Sequence, residues 1–263
     1  MIPLAKLPVE RARAIEALLF DLDDTVLSHG SLTRAAYDAI CDLAAAGVAL
    51  VAVTGRPAGW GEVLARQWPL LGVVSENGAA LCWRQDGAIV GSMRGTPASL
   101  ADDRGRLEAI AAEVHRALPA IVPADDNAAR RTDLTLDVGE QVQIPPADVA
   151  RARAIIHAGG ARSILSSIHL HATFSGDDKA SGVQRLLRER LGWSAGTARA
   201  RAAFIGDSEN DAACFAAFPT SFGVANVARW APRLSLPPRW ITPSPMGAGF
   251  AELVTTLLAA RQK

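Results

Sequence analysis

Four short apolar runs constrain the fold of this chain most, because each ends in a polar or glycine-rich turn. The runs are ALLFDLD (17–23), VALVAVTGR (48–56), LGVVSENG (71–78) and AAFIGDSEND (202–211). Continuous apolar runs are typical of strands buried on both faces of a parallel sheet, whereas half-exposed strands alternate between apolar and polar residues. The sequence therefore predicts a parallel sheet.

Helical segments separate the first three runs. In SLTRAAYDAICDLAAAG (31–47) apolar residues recur at helical spacing and Gly47 suits a left-handed C-cap, and a second helical stretch runs from Gly59 to Trp68. A strand, helix, strand, helix, strand order opens a doubly wound fold. The predicted fold class is therefore α/β, with a doubly wound, mainly parallel Rossmann-like sheet and an inserted α+β cap domain.

The inserted domain is inferred from a change of pattern in the middle of the chain. ALCWRQDGAIVGSM (80–93) predicts a hairpin, and RTDLTLDVGE (131–140) and SSIHLHATF (166–174) alternate as half-exposed strands do. Helices are predicted at 99–118 and from Pro145-Pro146 to Gly159-Gly160. The predicted division is a first core segment (1–81), the cap (82–174) and a second core segment (175–263).

The overall charge excludes some classes of partner. Lys and Arg together number 27, as do Asp and Glu, so no bulk electrostatic attraction to nucleic acid or to an anionic membrane is expected. The longest apolar candidate, AAAGVALVAV (44–53), is too short to span a bilayer. A cytoplasmic protein is the expectation.

Residues that could act on phosphate follow the predicted strands. Asp21 and Asp23 follow the first, Thr54 the second and Asp207 the last, and open α/β sheets bind ligands at the carboxyl ends of their strands. Magnesium binds carboxylates, waters and substrate phosphate, and would relieve the repulsion between Asp21 and Asp207. The sequence thus predicts a Mg²⁺ site at this edge, between Asp21 and Asp207.

A division of roles follows from the chemistry. Asp21 fits a nucleophile that forms an aspartyl-phosphate, and Asp23 could protonate the leaving oxygen and later activate water. Thr54 and Lys179 would supply a hydroxyl donor and a positive charge to the phosphoryl oxygens. Two further residues, Asn210 and Asp211, are interpreted either as supports that orient the site or as N-cap residues of the next helix.

The residues match a known family at this point. DLDDT (21–25), VTGR (53–56), Lys179 and GDSENDAA (206–213) resemble, in order, the four motifs of the haloacid dehalogenase superfamily. The resemblance implies that Asp21 is the nucleophile, and that Asp23 is the acid/base and binds magnesium through its backbone carbonyl. It also implies that Asp207 completes the metal site. The family frequently has Gly at the position of Asp24, although Asp also occurs there.

The position of the insertion indicates the cap type. Asp23 and Thr54 are too close in sequence for an inserted domain, whereas the stretch between Thr54 and Lys179 has room for one. This layout resembles the C2-capped branch (type IIB). That branch contains Cof-like, sucrose-phosphate, trehalose-phosphate and mannosyl-3-phosphoglycerate phosphatases, which are mostly phosphatases of sugar phosphates. The sequence does not choose among them.

Substrate contacts are predicted in the cap and at two strand ends. Alternation places His169 and His171 on one polar face of a cap strand, and Asp133 and Thr135 on a similar face. Each face either looks down on the catalytic edge or lies in water, and both alternatives stay open. The predicted substrate-binding residues are Gly55, Arg56, Asn77, Gly78, His169 and His171.

The predicted function is that of a Mg²⁺-dependent phosphatase acting on a small phosphorylated metabolite. A sugar phosphomutase or phosphotransferase could use the same residues with a sugar hydroxyl in place of water. A receiver-type signalling domain also has a phosphorylated Asp, a Thr and a Lys on a doubly wound sheet, but the Asp21-x-Asp23 pair and the cap argue against it. The oligomeric state and the identity of the metabolite are not predicted.

Overall fold

The structure is a computed structural model that describes residues 1–262. Two sheets and the helices packed on them account for most of the chain. The strands are β1 (Ile2–Pro3), β2 (Ala17–Phe20), β3 (Leu27–Ser28), β4 (Ser31–Leu32), β5 (Ala49–Val53), β6 (Gly72–Ser75), β7 (Ala80–Gln85), β8 (Ala88–Met93), β9 (Val122–Pro123), β10 (Asp133–Asp137), β11 (Arg162–Leu165), β12 (His169–Thr173), β13 (Ala202–Gly206), β14 (Ser221–Gly223) and β15 (Trp240–Ile241). The helices are α1 (Val9–Arg13), α2 (Arg34–Ala45), α3 (Ala58–Gln67), α4 (Pro97–Ala117), α5 (Pro146–Ala158), α6 (Lys179–Leu191), α7 (Ala195–Arg201), α8 (Ala212–Ala217) and α9 (Met246–Gln262).

The larger sheet has nine strands in the order β1-β15-β14-β13-β2-β5-β6-β7-β8. All neighbouring pairs from β1 to β6 are parallel, so the prediction of a parallel, doubly wound sheet is confirmed. β2 lies between β13 and β5, which places the ends of these three strands next to each other. This arrangement brings together the polar residues that follow them.

Helices cover both faces of this sheet. Alternate residues of β2 face opposite sides, so Leu18 and Phe20 join a core with residues of α2 and α9, whereas Ala17 and Leu19 join a core with residues of α6 and α8. All four side chains are fully buried. The continuous apolar run at β2 is thus explained by burial on both faces.

The hairpin at 80–93 belongs to the larger sheet, which corrects its assignment to the cap. β7 pairs antiparallel with β6, and β8 pairs antiparallel with β7. The predicted hairpin is present, and it turns at Asp86-Gly87 with positive φ at both residues. The inner half of β7 is apolar and buried, including Cys82 and Trp83, and these side chains need the sheet's helices to cover them. The cap module therefore begins with α4 and not at residue 82.

The cap is a four-stranded antiparallel sheet, in the order β11-β12-β10-β9, that packs against α4 and α5. Leu134, Leu136 and Leu170 form its apolar face and pack on the two helices. The other face carries Asp133, Thr135, Asp137, His169, His171 and Thr173, all of which are buried. Polar side chains that are buried need polar partners in place of water. Here the core domain covers the polar face of the cap sheet.

No helix within residues 1–262 is both long enough and apolar enough to cross a membrane.

Candidate active site

Three of the predicted site residues lie at the ends of adjacent strands. Asp21 directly follows β2, Thr54 directly follows β5 and Asp207 directly follows β13. Because these strands are parallel neighbours, the three side chains meet at one edge of the sheet, and all three are buried. The structure brings Lys179 to the same edge as the first residue of α6.

Lys179 is bound between two carboxylates. Its Nζ lies 2.7 Å from Oδ1 of Asp21 and 2.7 Å from Oδ1 of Asp211, and the side chain is fully buried. Burial alone would lower the pKa of Lys179, but the charges of Asp21 and Asp211 outweigh it and raise the pKa above its ordinary value. Lys179 is therefore a fixed positive charge beside the predicted nucleophile.

Asp211 also binds the loop that carries Asp207. Its Oδ2 accepts hydrogen bonds from the backbone N–H of Asp207 (2.8 Å) and of Ser208 (3.1 Å). Asp211 stands at the N-cap position of α8, but its side chain makes no capping hydrogen bond to that helix. Asn210 instead donates from Nδ2 to Oδ1 of Asn77 across 3.1 Å. Both side chains are thus hydrogen-bonded to other predicted site residues.

The acidic cluster fits a divalent cation. Single oxygen atoms of Asp21, Asp207 and Asp211 all lie within 4.8 Å of one another. Asp211 uses both oxygens on Lys179 and on the loop amides, whereas Oδ1 of Asp207 is buried with no hydrogen-bond partner among the described residues. A buried carboxylate oxygen without a partner is costly, and a hard cation would satisfy it. Asp21 and Asp207 are thus the available ligands.

The pKa values of these carboxyl groups reflect the same crowding. Burial raises the pKa of Asp21 to about 8; Lys179 opposes that shift, and the charges of Asp211 and Asp23 add to it. Burial, followed by the charges of Asp21 and Asp211, raises the pKa of Asp207 well above its ordinary value. Each shift is one that a bound cation would reverse.

Asn226 and Arg229 also contact this cluster, and the sequence reading missed both. Asn226 Nδ2 donates to Oδ2 of Asp207 and to the backbone oxygen of Asp24, each across 2.9 Å. Arg229 reaches Oδ2 of Asp24 at 3.3 Å and Oδ2 of Asp207 at 3.4 Å. Neither residue lies at a predicted strand end, so no local signal marked them. Asp24 has a positive φ of 55°. Its contacts with Asn226 and Arg229 connect it to the segment that follows β14.

Asp23, the predicted acid/base, forms an ion pair with Arg56. The guanidinium of Arg56 donates to both carboxylate oxygens of Asp23, from Nε across 3.1 and 3.0 Å and from a terminal nitrogen across 2.9 Å. Burial would lower the pKa of Arg56, but Asp23 and Glu140 raise it above its ordinary value. Arg56 was predicted as a substrate contact; in the structure it binds Asp23.

The same guanidinium binds the cap. It lies 2.7 Å from Oε1 of Glu140, and Oε2 of Glu140 lies 2.8 Å from Nε2 of His169. The hydrogen bond from His169, followed by the contacts with Arg56, lowers the pKa of Glu140 to about 2. A continuous polar chain therefore runs from Asp23 in the core to His169 in the cap. Glu140 was not predicted, because nothing local distinguishes it from a solvent-facing loop acid.

The polar face of the cap looks down on the catalytic edge, which decides between the two alternatives that alternation left open. Arg130 donates to the backbone oxygen of Gly55 across 2.9 Å, and His171 lies against the same glycine. On this face His171 Nδ1 lies 2.8 Å from Oδ2 of Asp133 and 3.2 Å from Oγ1 of Thr135. The cap residues therefore lie beside the loop that follows β5.

Glu76, a residue of the core, connects the core to the cap by hydrogen bonds. Its carboxylate accepts hydrogen bonds from the backbone N–H groups of Ala58 (2.8 Å), Arg131 (2.9 Å) and Thr132 (2.6 Å), so one core side chain binds two cap amides. Burial raises its pKa, and the charge of Asp133 adds to that shift. Glu76 lies in the SENG turn that sequence analysis singled out, but its own role was missed.

Asn77 and Gly78 lie in the same turn but differ in what they contact. Asn77 has a φ of 52° and Gly78 a φ of 107°. A Cβ on Gly78 would lie only 2.0 Å from the backbone oxygen of Asp178, so the close approach of α6 requires glycine here. Gly78 thus shapes the packing, whereas the side chain of Asn77 points toward the site through its bond with Asn210.

A polar cavity of about 340 Å³ opens between core and cap beside Asp23. Its volume suits a small hydrophilic molecule. The side chains that line it are mostly charged or polar and come from both domains: Asp23, Asp24, His29, Arg56, Glu140, Gln143, Ser167 and Arg229.

Comparison with known proteins supports the fold. No protein-family model matches the sequence, and no curated protein matches it either. Among solved structures, that of Thermoplasma acidophilum 0175 superimposes with a TM-score of 0.70 at 18% identity, covering 93% of this chain and 98% of the other. The sucrose-phosphatase of Synechocystis sp. PCC6803, solved with sucrose and phosphate, gives a TM-score of 0.65 at 17% identity over 93% of this chain and 98% of its own.

A subclass IIB sugar phosphatase of the HAD superfamily gives a TM-score of 0.62 at 14% identity, covering 91% of this chain and 98% of the other. At such identities the likeness shows the fold alone. The fold of this chain, including the inserted cap, is therefore shared with these solved structures.

Proposed function

We propose that this protein is a Mg²⁺-dependent phosphatase that hydrolyses a small phosphate monoester, a sugar phosphate or a related metabolite, through an aspartyl-phosphate on Asp21. The observation that carries the proposal is the convergence of Asp21, Thr54, Lys179 and Asp207 at one buried edge of the sheet. The likeness of the fold to those of sugar phosphatases supports the same class of reaction.

In the first step, an oxygen of Asp21 attacks the phosphorus and the bond from phosphorus to the leaving oxygen breaks. To act as the acid, Asp23 must first take up a proton and give up part of its contact with Arg56; its carboxyl group then gives that proton to the leaving oxygen. Lys179 and the hydroxyl of Thr54 bind the non-bridging oxygens, whose negative charge persists through the transition state. Because Lys179 is already fixed by Asp211, this positive charge needs little reorganisation.

In the second step, water attacks the phosphorus, Asp23 takes its proton, and the bond to Asp21 breaks to release inorganic phosphate. A cation bound by Asp21 and Asp207 would neutralise part of the phosphoryl charge and orient the group for attack. Ion pairs such as that between Arg56 and Glu140 would keep the cap closed and bulk water out during the transfer.

A panel of phosphate esters, assayed by release of inorganic phosphate in the presence of Mg²⁺, tests the proposal. Sugar phosphates, phosphoglycerate derivatives, nucleotides and p-nitrophenyl phosphate form the panel. We expect hydrolysis of p-nitrophenyl phosphate and faster hydrolysis of one group of metabolites. A phosphoenzyme that survives for minutes without releasing phosphate would contradict the proposal and favour a signalling role, and formation of a phosphosugar without free phosphate would favour a phosphotransferase.

A further inference from the structure

Two buried polar atoms beside Gly55 have no hydrogen-bond partner within residues 1–262: Nε2 of His171 and Nδ2 of Asn77. The two residues are 1% and 2% exposed. A Cβ on Gly55 would lie 3.0 Å from the first atom and 3.3 Å from the second, so both atoms face the space that a side chain at residue 55 would take and that glycine leaves open. Buried polar atoms are nearly always paired, and two orphans at one point indicate a missing partner.

His171 presents an acceptor to this space. Its Nδ1 lies 2.8 Å from a carboxylate oxygen of Asp133, and because a carboxylate only accepts, the ring proton is on Nδ1. Burial lowers the pKa of His171 to about 4, so the ring is neutral at pH 7 and the lone pair of Nε2 is free to accept. The ion pair of Asp133 with Arg130, at 3.1 Å, keeps Asp133 charged and in place.

Asn77 presents a donor. Its Oδ1 accepts from Nδ2 of Asn210 across 3.1 Å, an arrangement that assigns the NH₂ group of Asn77 to the other side. The space beside Gly55 is therefore bordered by one acceptor from the cap and one donor from the core. A carboxylate would have no proton for His171 and an ammonium no lone pair for Asn77, but a hydroxyl both donates and accepts.

We propose that His171 and Asn77 form a subsite for a hydroxyl group on the leaving group of the substrate. The inference rests on the proposed phosphatase function and deepens it by naming a feature of the substrate. The backbone N–H of Asn77 donates to the oxygen of Thr54 across 3.1 Å, so the subsite adjoins the predicted phosphoryl position. A hydroxyl group bound this close to the predicted phosphoryl position would be attached to the carbon next to the one that carries the phosphate, as in polyol and sugar phosphates.

The test compares 2-hydroxyethyl phosphate with ethyl phosphate, which differ only in that hydroxyl. We expect kcat/KM to favour the hydroxylated ester by about 10- to 100-fold, since the analogue leaves two buried groups unpaired. In His171→Phe and in Asn77→Gly, which tolerates the positive φ, the ratio falls toward one. Thr135→Val is the matched control. It removes the hydroxyl beside Nδ1 of His171 and leaves Nε2 unchanged, so we expect the ratio of the two kcat/KM values to be retained.

Equal kcat/KM for the two esters in the unaltered protein would overturn the subsite and indicate a bound water between the two side chains. A ratio that persists in His171→Phe would overturn it as well. If neither ester nor p-nitrophenyl phosphate is hydrolysed, the proposed function fails instead. Binding then decides the subsite separately: the Tm shift of Asp21→Asn should be larger with 2-hydroxyethyl phosphate than with ethyl phosphate, and equal shifts would overturn it.

Discussion

Arg56 of the core and Glu140 of the cap are joined by an ion pair of 2.7 Å, and the same guanidinium binds both carboxylate oxygens of Asp23. The position of the cap is thus connected by direct contacts to the predicted acid/base. Opening the cap would break the bond to Glu140 and leave Arg56 with Asp23, so the contact is formed only in the closed arrangement.

Glu140→Gln should therefore loosen the cap. We expect a loss of about 1 kcal/mol in the free energy of unfolding, because Glu140 is partly exposed and Arg56 keeps Asp23 as a partner. We also expect a several-fold higher KM for metabolites that contact the cap, measured by steady-state kinetics. Glu108→Gln is the control, since Glu108 pairs with Arg104 on the exposed side of α4 and should change stability by less than about 0.5 kcal/mol. Identical effects of the two variants would contradict the connection.

Asp21→Asn should abolish turnover with the fold intact. An amide cannot act as the nucleophile, so we expect at least about a 1000-fold loss of kcat on p-nitrophenyl phosphate. Lys179 retains its bond to Asp211, and circular dichroism should therefore be unchanged. Asp38→Asn, at an exposed position on α2, should retain full activity. Near-normal turnover by Asp21→Asn would rule out the mechanism.

Asp23→Asn should slow both chemical steps, because it removes the group that protonates the leaving oxygen and activates water. With p-nitrophenyl phosphate, whose leaving group needs little protonation, the first step should be less affected than the second. We expect phosphoenzyme to accumulate, visible by intact-protein mass spectrometry as the mass of one added phosphoryl group. Steady turnover without accumulation would argue against the role of Asp23 in hydrolysis.

Magnesium should stabilise the protein as well as support turnover. A cation that binds the folded acidic cluster and not the unfolded chain raises the stability, increasingly so as its concentration exceeds its Kd. We expect Tm to rise with MgCl₂ and not with NaCl of equal ionic strength, and chelation to abolish activity reversibly. Asp207→Asn should weaken the Tm response, because it alters a candidate ligand whose Oδ1 is buried without a partner. An unchanged response would place the cation elsewhere.

The buried His171 should make stability depend on pH. Burial lowers its pKa from 6.5 to about 4 in the folded protein. Between these two pH values the unfolded chain binds a proton at His171 that the folded chain does not, so the free energy of unfolding falls as the pH is lowered through this window. His171→Phe lacks this contribution, and urea titrations of the two proteins should diverge accordingly. An imidazole that titrates near 6.5 by NMR would contradict the burial argument.

Much of the catalytic edge was predictable from local patterns. Asp21, Thr54 and Asp207 each follow a short continuous apolar run, which is typical of a strand buried between helices. Parallel neighbours then bring these residues together without any knowledge of side-chain contacts. The two predicted cap helices correspond to α4 and α5. They were also predictable from a local pattern, because proline or glycine marks their ends.

The hairpin at 80–93 shows where local patterns fail. Its strands and its turn were predicted, but its assignment to the cap was wrong, because a hairpin pattern does not say which sheet edge it joins. That choice depends on which free edge lies near and which helices cover the apolar half of β7. Such contacts are between residues far apart in the chain.

The sequence by itself determined the strand-end residues and the order of the motifs, because periodicity and turn chemistry are properties of neighbouring residues. Only the tertiary structure decided which face of the cap meets the core, and so which contacts Glu140, Glu76 and His171 make. The alternation of β12 is the same whether its polar face meets water or the core. Burial of that face against Gly55 depends on how the core and the cap pack against each other, which no local pattern contains.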